Sequence, residues 1–446
     1  MSTTGSGRRG VRTLLALAMA ASLVAMPAAA VGATEVGSDD DELWYFEDTG
    51  IPELQQTATG EGVTIALLDS GVNPDAPTLR GADIVGSEFS CPDGEGTVNG
   101  LHDDVSAEHG TYLASILVGN GEQVGDQPGV PGIAPDAALI SYDVVTEDPT
   151  GIGTDEEYTC EDSTELLRDT ILDAIDKDVD MIVTATGFSL RGEAATALIQ
   201  AIDAGIVVVA ANSNVSELSF ESTSNSVHVE QFNGVVSVEN ATQSGERADP
   251  VTGPWVTILA PGTGYINYGR GDGTWDERKY SAAANSPAST YVGGVLALAK
   301  SAYPDATGDQ LIQALVRGAD GGNPDLVRTD ENGYGFISPR TMIATDPATL
   351  PDENPLLRDA PQTWPLLEDF EDGVFTDDTW DYPLEGDAAS ADGTTAPSAD
   401  DPGSAEGGDG SPLGPVLIVA VVLGGIVVVG GIVLAAVLVA RSRRRS

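Results

Sequence analysis

Across the central part of the chain, two hydrophobic rhythms take turns. Short continuous apolar runs bounded by glycine or turn residues occur at Gly60–Gly71 (GEGVTIALLDSG), Ala138–Val145, Val179–Thr184, Ile206–Ala211, Gly234–Val238 and Trp255–Leu259. Runs of that length read as strands buried on both faces of a parallel sheet. Between them, apolar residues recur at helical spacing: Leu113, Ile116 and Leu117; Leu167, Ile171 and Ile175; the stretch Gly192–Ala204; Pro287–Tyr303; and Leu311, Ile312 and Leu315. The alternation predicts an α/β domain with a mostly parallel sheet, ending near Leu350.

The helix boundaries carry their own signals. Asp162 with Glu165, and Thr307 with Gln310, have capping-box spacing. Gly205 is placed to stop the helix that begins at Gly192. Gly293 and Gly294 fall inside the longest apolar helix, where each costs about 1 kcal/mol relative to alanine. Close backbone packing is the expected offset.

The polar and apolar pattern changes at both ends. Arg8, Arg9 and Arg12 precede an apolar run from Leu14 to Met26, and small residues up to Ala33 supply cleavage sites. Residues 1–33 therefore read as a secretory signal peptide, the alternative being an uncleaved anchor. Residues 34–59 are an N-terminal extension, acidic but holding Trp44, Tyr45 and Phe46, which suggests a segment packed on the domain. After the domain at 60–350, residues 351–414 are rich in Asp, Gly, Ala, Ser and Pro and read as a solvated linker. Residues 415–440 are apolar over a spanning length, and the tail 441–446 carries four arginines. A single transmembrane helix with a cytoplasmic tail and an extracellular domain follows, a type I arrangement in the cell membrane.

Charge narrows the function classes. The formal net charge of the 446 residues is -50, which opposes nucleic-acid binding, since phosphate contacts need Lys and Arg. Cys91 and Cys160 are the only cysteines. In an exported chain they most simply form one disulfide, the alternative being two separate thiols.

The candidate chemistry lies at the edges of the predicted elements. Asp69 ends the first strand, where open α/β sheets place their sites. His109 opens the Glu108–Gly119 helix and points away from the core, and Gly110 beside it leaves room for another backbone or a substrate. Ser286 precedes the long apolar helix. A histidine is a suitable base near neutrality, a serine needs one to become a nucleophile, and an aspartate fixes the imidazole tautomer. Taken singly, Asp69 reads equally well as a turn cap, Ser286 as a helix N-cap and Asn214 as a loop residue.

Together these blocks resemble the subtilases, the subtilisin-like serine proteases. The DSG block at Asp69, the HGT block at His109 and a serine block at Ser286 follow in the family's order. That order, Asp then His then Ser, is the known order in subtilisin. The run VVVAANSN ends at Asn214, and GVPGIAPDAAL from Gly129 and LAPG from Leu259 also match family stretches. The resemblance implies a three-layer subtilisin-like fold with a central sheet flanked by helices. It implies catalysis by Asp69, His109 and Ser286, an oxyanion amide at Asn214 and a substrate-lining segment at Ala185, Thr186 and Gly187. No cofactor is implied. Bound calcium is frequent in such proteins, but no ligand set here is specific enough to name as a metal site.

The serine block departs from the family's Gly-Thr-Ser. It reads Ala284-Asn285-Ser286-Pro287, with a methyl group expected to crowd the nucleophile and Pro287 expected at the first helical position. The overall layout is similar to the mycosins, membrane-anchored proteases of type VII secretion. The stretches from Tyr291 and Gly333 look like theirs. The resemblance implies a protein or peptide substrate and association with a secretion membrane complex. The competing reading is a pseudoprotease that serves such a complex as a structural part.

Overall fold

The structure is a computed structural model that describes residues 41–91, 97–145, 163–213, 227–247, 250–271, 273–279, 283–358 and 365. The expected signal peptide, the 415–440 apolar run, Cys160 and Asn214 lie outside the described residues. Among the described residues, no helix is long and apolar enough to cross a membrane.

Seven strands form the main sheet: β1 (Thr64–Asp69), β2 (Ile84–Gly86), β3 (Ala138–Asp143), β4 (Met181–Thr184), β5 (Val207–Ala211), β6 (Val236–Ala241) and β7 (Val256–Pro261). Their spatial order is β7-β6-β5-β4-β1-β3-β2, and every neighbouring pair is parallel. The expected strand at Gly234–Val238 starts two residues later and runs on to Ala241. Gly234 itself has φ +92°, a turn conformation that favours glycine.

Alternating strand residues feed two apolar layers. Ile65 and Leu67 of β1 join one cluster, whereas Ala66 and Leu68 join the other. This is the two-residue period of a strand covered on both faces. Helices α1 (Glu108–Val118), α4 (Asn285–Ala302) and α5 (Gly308–Gly318) cover the first face. Helices α2 (Ser163–Asp176) and α3 (Gly192–Asp203) cover the second. The result is the three-layer α/β architecture.

The glycine pair in α4 has the packing role that its cost demands. A Cβ on Gly293 would stand 2.5 Å from a methyl of Val183, and one on Gly294 2.6 Å from Cβ of Ile133. Both contacts let the helix lie directly on the sheet and the loop before β3. The Thr307–Gln310 capping box forms as its spacing predicts.

Packing does not stop at Gly60. Trp44, Tyr45, Phe46, Ile51 and Ala58 belong to the same apolar cluster as α1 and α4. Tyr45 is fully buried. Its ring stacks on Tyr265 with centroids 3.9 Å apart and meets Tyr291 edge-on at 6.2 Å.

The chain order reverses beside β1. Strands β3 and β2 lie on one side of it, and β4 onwards on the other. A crevice at the C-terminal ends of β1 and β4 is where such a sheet offers a site.

Candidate active site

Asp69 ends β1 and is almost fully buried, at 1% exposure. Its Oδ1 accepts the Ser70 backbone N–H at 2.8 Å and lies 2.7 Å from Nδ1 of His109. That contact fixes a tautomer, with Nδ1 carrying the proton and Nε2 left as an acceptor. Partial loss of water around the His109 ring lowers its pKa, but the charge and hydrogen bond of Asp69 more than offset this. The pKa therefore stands above the usual 6.5. The His109 side chain keeps 43% of its surface exposed, so it can be reached from solvent.

Gly110 explains how the histidine comes so close. A Cβ there would sit 2.0 Å from the carbonyl oxygen of Gly71. Its backbone N–H donates to Ser70 Oγ at 3.1 Å. Helix α1 is thus seated by its first turn on the turn that follows β1.

Ser286 is the second residue of α4, and α4 begins at Asn285 with Ala284 as its N-cap. Pro287 is therefore the third helical position, not the first. The substitution still removes no helical hydrogen bond, because the N–H groups of the first turn have no intrahelical acceptor. Ala284 has φ -154°, extended backbone that any residue adopts. The backbone there does not demand glycine.

The Ser286 hydroxyl donates to the carbonyl of Ala185 at 3.2 Å. It is not hydrogen-bonded to His109. Leu68 pairs with Thr184 in the parallel register of β1 and β4, so Asp69 at the end of β1 is followed across the sheet by Ala185, the residue after β4. The Ala185 carbonyl that holds Ser286 thus leaves the sheet beside the carboxylate that holds His109. Thr186 is half-buried and Gly187 is exposed. No atom lies within 4 Å of where a Cβ on Gly187 would be, which leaves open space along this segment.

Ser213 ends the described stretch before Asn214, whose amide is not described. Cys91 is buried and is not a free thiol, whereas Cys160 lies outside the described residues. Among the described residues, no three potential ligands converge as a metal site.

Two residues near this site escaped the reading of the sequence. His102 has Nδ1 at 3.1 Å from Asp104 and Nε2 at 3.4 Å from Asp143. Asp143 is the register partner of Asp69 on β3. The His102 ring lies against Gly71, where a Cβ would be 2.2 Å from Nε2. The second is Asn285, read only as a departure from the expected threonine. It is fully buried, and its position directly before Ser286 was the available signal.

Comparison with known proteins agrees with this geometry. The family described as "Peptidase_S8: Subtilase family" matches residues 60–336. A thermostable alkaline protease of Halalkalibacterium halodurans is 29% identical over 57% of this chain, which spans 62% of that protein's length. Mycosin-1 of Mycobacterium tuberculosis is 28% identical over 70% of this chain and 76% of its own. The crystal structure of MycP1 with its N-terminal propeptide removed superposes with a TM-score of 0.51 at 26% identity, covering 70% of this chain and all of that one. The periplasmic assembly of the ESX-5 inner membrane complex shares the fold, with a TM-score of 0.51 at 22% identity over 74% of this chain and 92% of its own. With more than half of its length matched by one family and mycosins among its relatives, this chain belongs to the subtilase family of serine proteases.

Proposed function

We propose that this chain is a membrane-anchored extracellular serine endopeptidase in which Ser286 is the nucleophile, His109 the general base and Asp69 the group that orients it. The observation that carries the reading is the link between adjacent strand ends. Asp69 holds His109 at 2.7 Å, and the neighbouring Ala185 carbonyl holds the Ser286 hydroxyl at 3.2 Å. Catalysis requires the Ser286 hydroxyl to leave the Ala185 carbonyl for Nε2 of His109. Catalytic hydrogen bonds often form only once substrate is bound.

The steps then follow from the residues. Ser286 Oγ adds to the scissile carbonyl carbon while its proton passes to Nε2 of His109. Asp69 stabilises the imidazolium. The Ser286 N–H, in the first turn of α4 and free of a helical acceptor, faces the developing oxyanion, and Asn214 supplies the second donor. His109 returns its proton to the leaving amine as the C–N bond breaks, and a water molecule repeats the sequence to release the acyl group. The segment Ala185-Thr186-Gly187 borders the substrate.

The cellular setting belongs to the same proposal. A signal peptide at 1–33 and a span at 415–440 would hold the domain outside the membrane, with Cys91 and Cys160 bridged. A MycP1 described as coming from the ESX-1 type VII secretion system and an ESX-5 inner membrane complex share the fold, and with the mycosin relatives they support work alongside such a complex on a protein or peptide substrate. The second reading, a scaffold without activity, is favoured by one observation: the Ser286 hydroxyl faces Ala185 rather than His109.

Fluorophosphonate labelling decides between the two. The purified protein is expected to take the probe, and Ser286→Ala to take none. Removal of the nucleophile costs about 10⁶ in kcat in subtilisin, a known value for that enzyme. A protein that takes no probe and cleaves no peptide mixture is a scaffold.

A further inference from the structure

Asn285 lies directly before the candidate nucleophile, fully buried, with both ends of its amide engaged. Its Nδ2 donates to the Ser213 carbonyl at 2.6 Å. Its Oδ1 accepts from the Asn240 backbone N–H at 2.6 Å and from Asn240 Nδ2 at 2.7 Å. The two ends cannot be exchanged, because a carbonyl needs a donor and a backbone N–H needs an acceptor. The first side chain of a helix can ordinarily turn to solvent, and burying an amide is costly unless it is bonded. Here the bonds lead to two separate strand ends, after β5 and near the end of β6.

We propose that Asn285 is a positioning residue for Ser286, fastening the first turn of α4 to the chain at Ser213 and to Asn240. The proposal rests on the protease reading above for its catalytic consequence. Two further contacts pin the same turn. The Ala284 N–H donates to the Gly262 carbonyl at 3.1 Å. Gly262 in turn packs on Asn240, where a Cβ would stand 2.4 Å from that of Asn240. The backbone entering Ser286 is therefore held from β5, β6 and the residue after β7. The tie to Ser213 also sets the gap between the Ser286 N–H and the chain leading into Asn214. A displacement of about 1 Å at a nucleophile can cost about 10²-fold in rate, so a single side chain that fixes this gap has leverage on the rate without touching substrate.

The test uses the full chain with Asn285→Ala and Asn285→Asp. The second keeps the shape but turns an acceptor toward the Ser213 carbonyl. Both variants are expected to react with a fluorophosphonate about 10- to 100-fold more slowly than wild type. A non-reactive peptide should bind Ser286→Ala with and without Asn285→Asp within about twofold, because the effect is on geometry at the nucleophile and not on substrate binding. Hydrogen exchange gives a readout that needs no activity. Residues 212–213 and 283–288 should exchange about tenfold faster in both variants while the rest of the domain is unchanged. Wild-type labelling rates in both variants overturn the proposal and leave the protease reading standing. A wild-type protein that takes no probe sinks the protease reading, and exchange then decides the positioning claim alone. Unchanged exchange, or acceleration across the whole domain, overturns it.

Discussion

Gly110 lies so close to Gly71 that the smallest side chain would meet its carbonyl oxygen at 2.0 Å. The contact joins the first turn of α1 to the turn after β1, and it is what allows His109 to reach Asp69. Gly110→Ala is expected to push these turns apart and lower kcat/KM by about 10²-fold. Overpacking of this kind costs about 1–3 kcal/mol. Peptide hydrolysis and thermal unfolding of the same preparation measure both effects; a variant with wild-type kcat/KM would show that the turns tolerate separation.

The His109 pKa sets the direction of the pH profile. A general base must be neutral, and Asp69 holds this imidazole's pKa above 6.5. kcat/KM should therefore rise with pH through an apparent value above 6.5. Asp69→Asn removes the charge that raises it, moves the limb to lower pH and lowers the rate by about 10⁴-fold, as in the corresponding variant of trypsin. A profile flat from pH 5.5 to 8 would count against His109 as the base.

Glu230 is buried, and burial pushes its carboxyl up to about 7 from 4.5. A carboxyl raised in the folded state gives its full contribution below the unfolded value, and that contribution is lost as pH rises through the folded one. The stability of the wild type should thus decline between about pH 4.5 and pH 7. Glu230→Gln keeps the shape without the charge and should be the more stable protein at pH 8, by on the order of 3 kcal/mol. Denaturant unfolding at pH 5 and pH 8 checks the sign; equal differences at both would place the charge elsewhere.

Tyr45 supports the catalytic domain from outside the family match. Its ring is fully buried between Tyr265 and Tyr291. Tyr45→Ala should cost about 3–5 kcal/mol, the range for deleting a large buried aromatic. Chemical denaturation measures it. A loss under about 1 kcal/mol would mean that residues 41–58 form a detachable cover and not part of the core.

Six of the seven sheet strands and the five long helices were legible because each is written in a local period, whereas the three-residue edge strand Ile84–Gly86 is too short to show one. The apolar run TIALLD is buried on both faces wherever it lies, so it reads as a central strand without knowledge of its neighbours. Asp69, His109 and Ser286 stood out as candidates for a related reason: each sits at an element boundary marked by glycine or by a change of period. The start of α4 was misjudged by two residues because Pro287 was taken as its first position, and helix ends fix backbone angles only weakly from sequence.

The contacts among those residues depend on strand order, and no local pattern encodes that. Ser286 meets the Ala185 carbonyl because α4 lies on β4, although Ala185 is 101 residues away along the chain. Asn285 reads from sequence as a lost threonine. Only the juxtaposition of Ser213, Asn240 and the first turn of α4 makes it a fully bonded amide. Likewise His102 becomes a neighbour of Asp143 through the pairing of β3 with β1. Side-chain identity and period are properties of short segments. The partner of a buried polar group is a property of the packed sheet, because only packing removes water as the alternative partner.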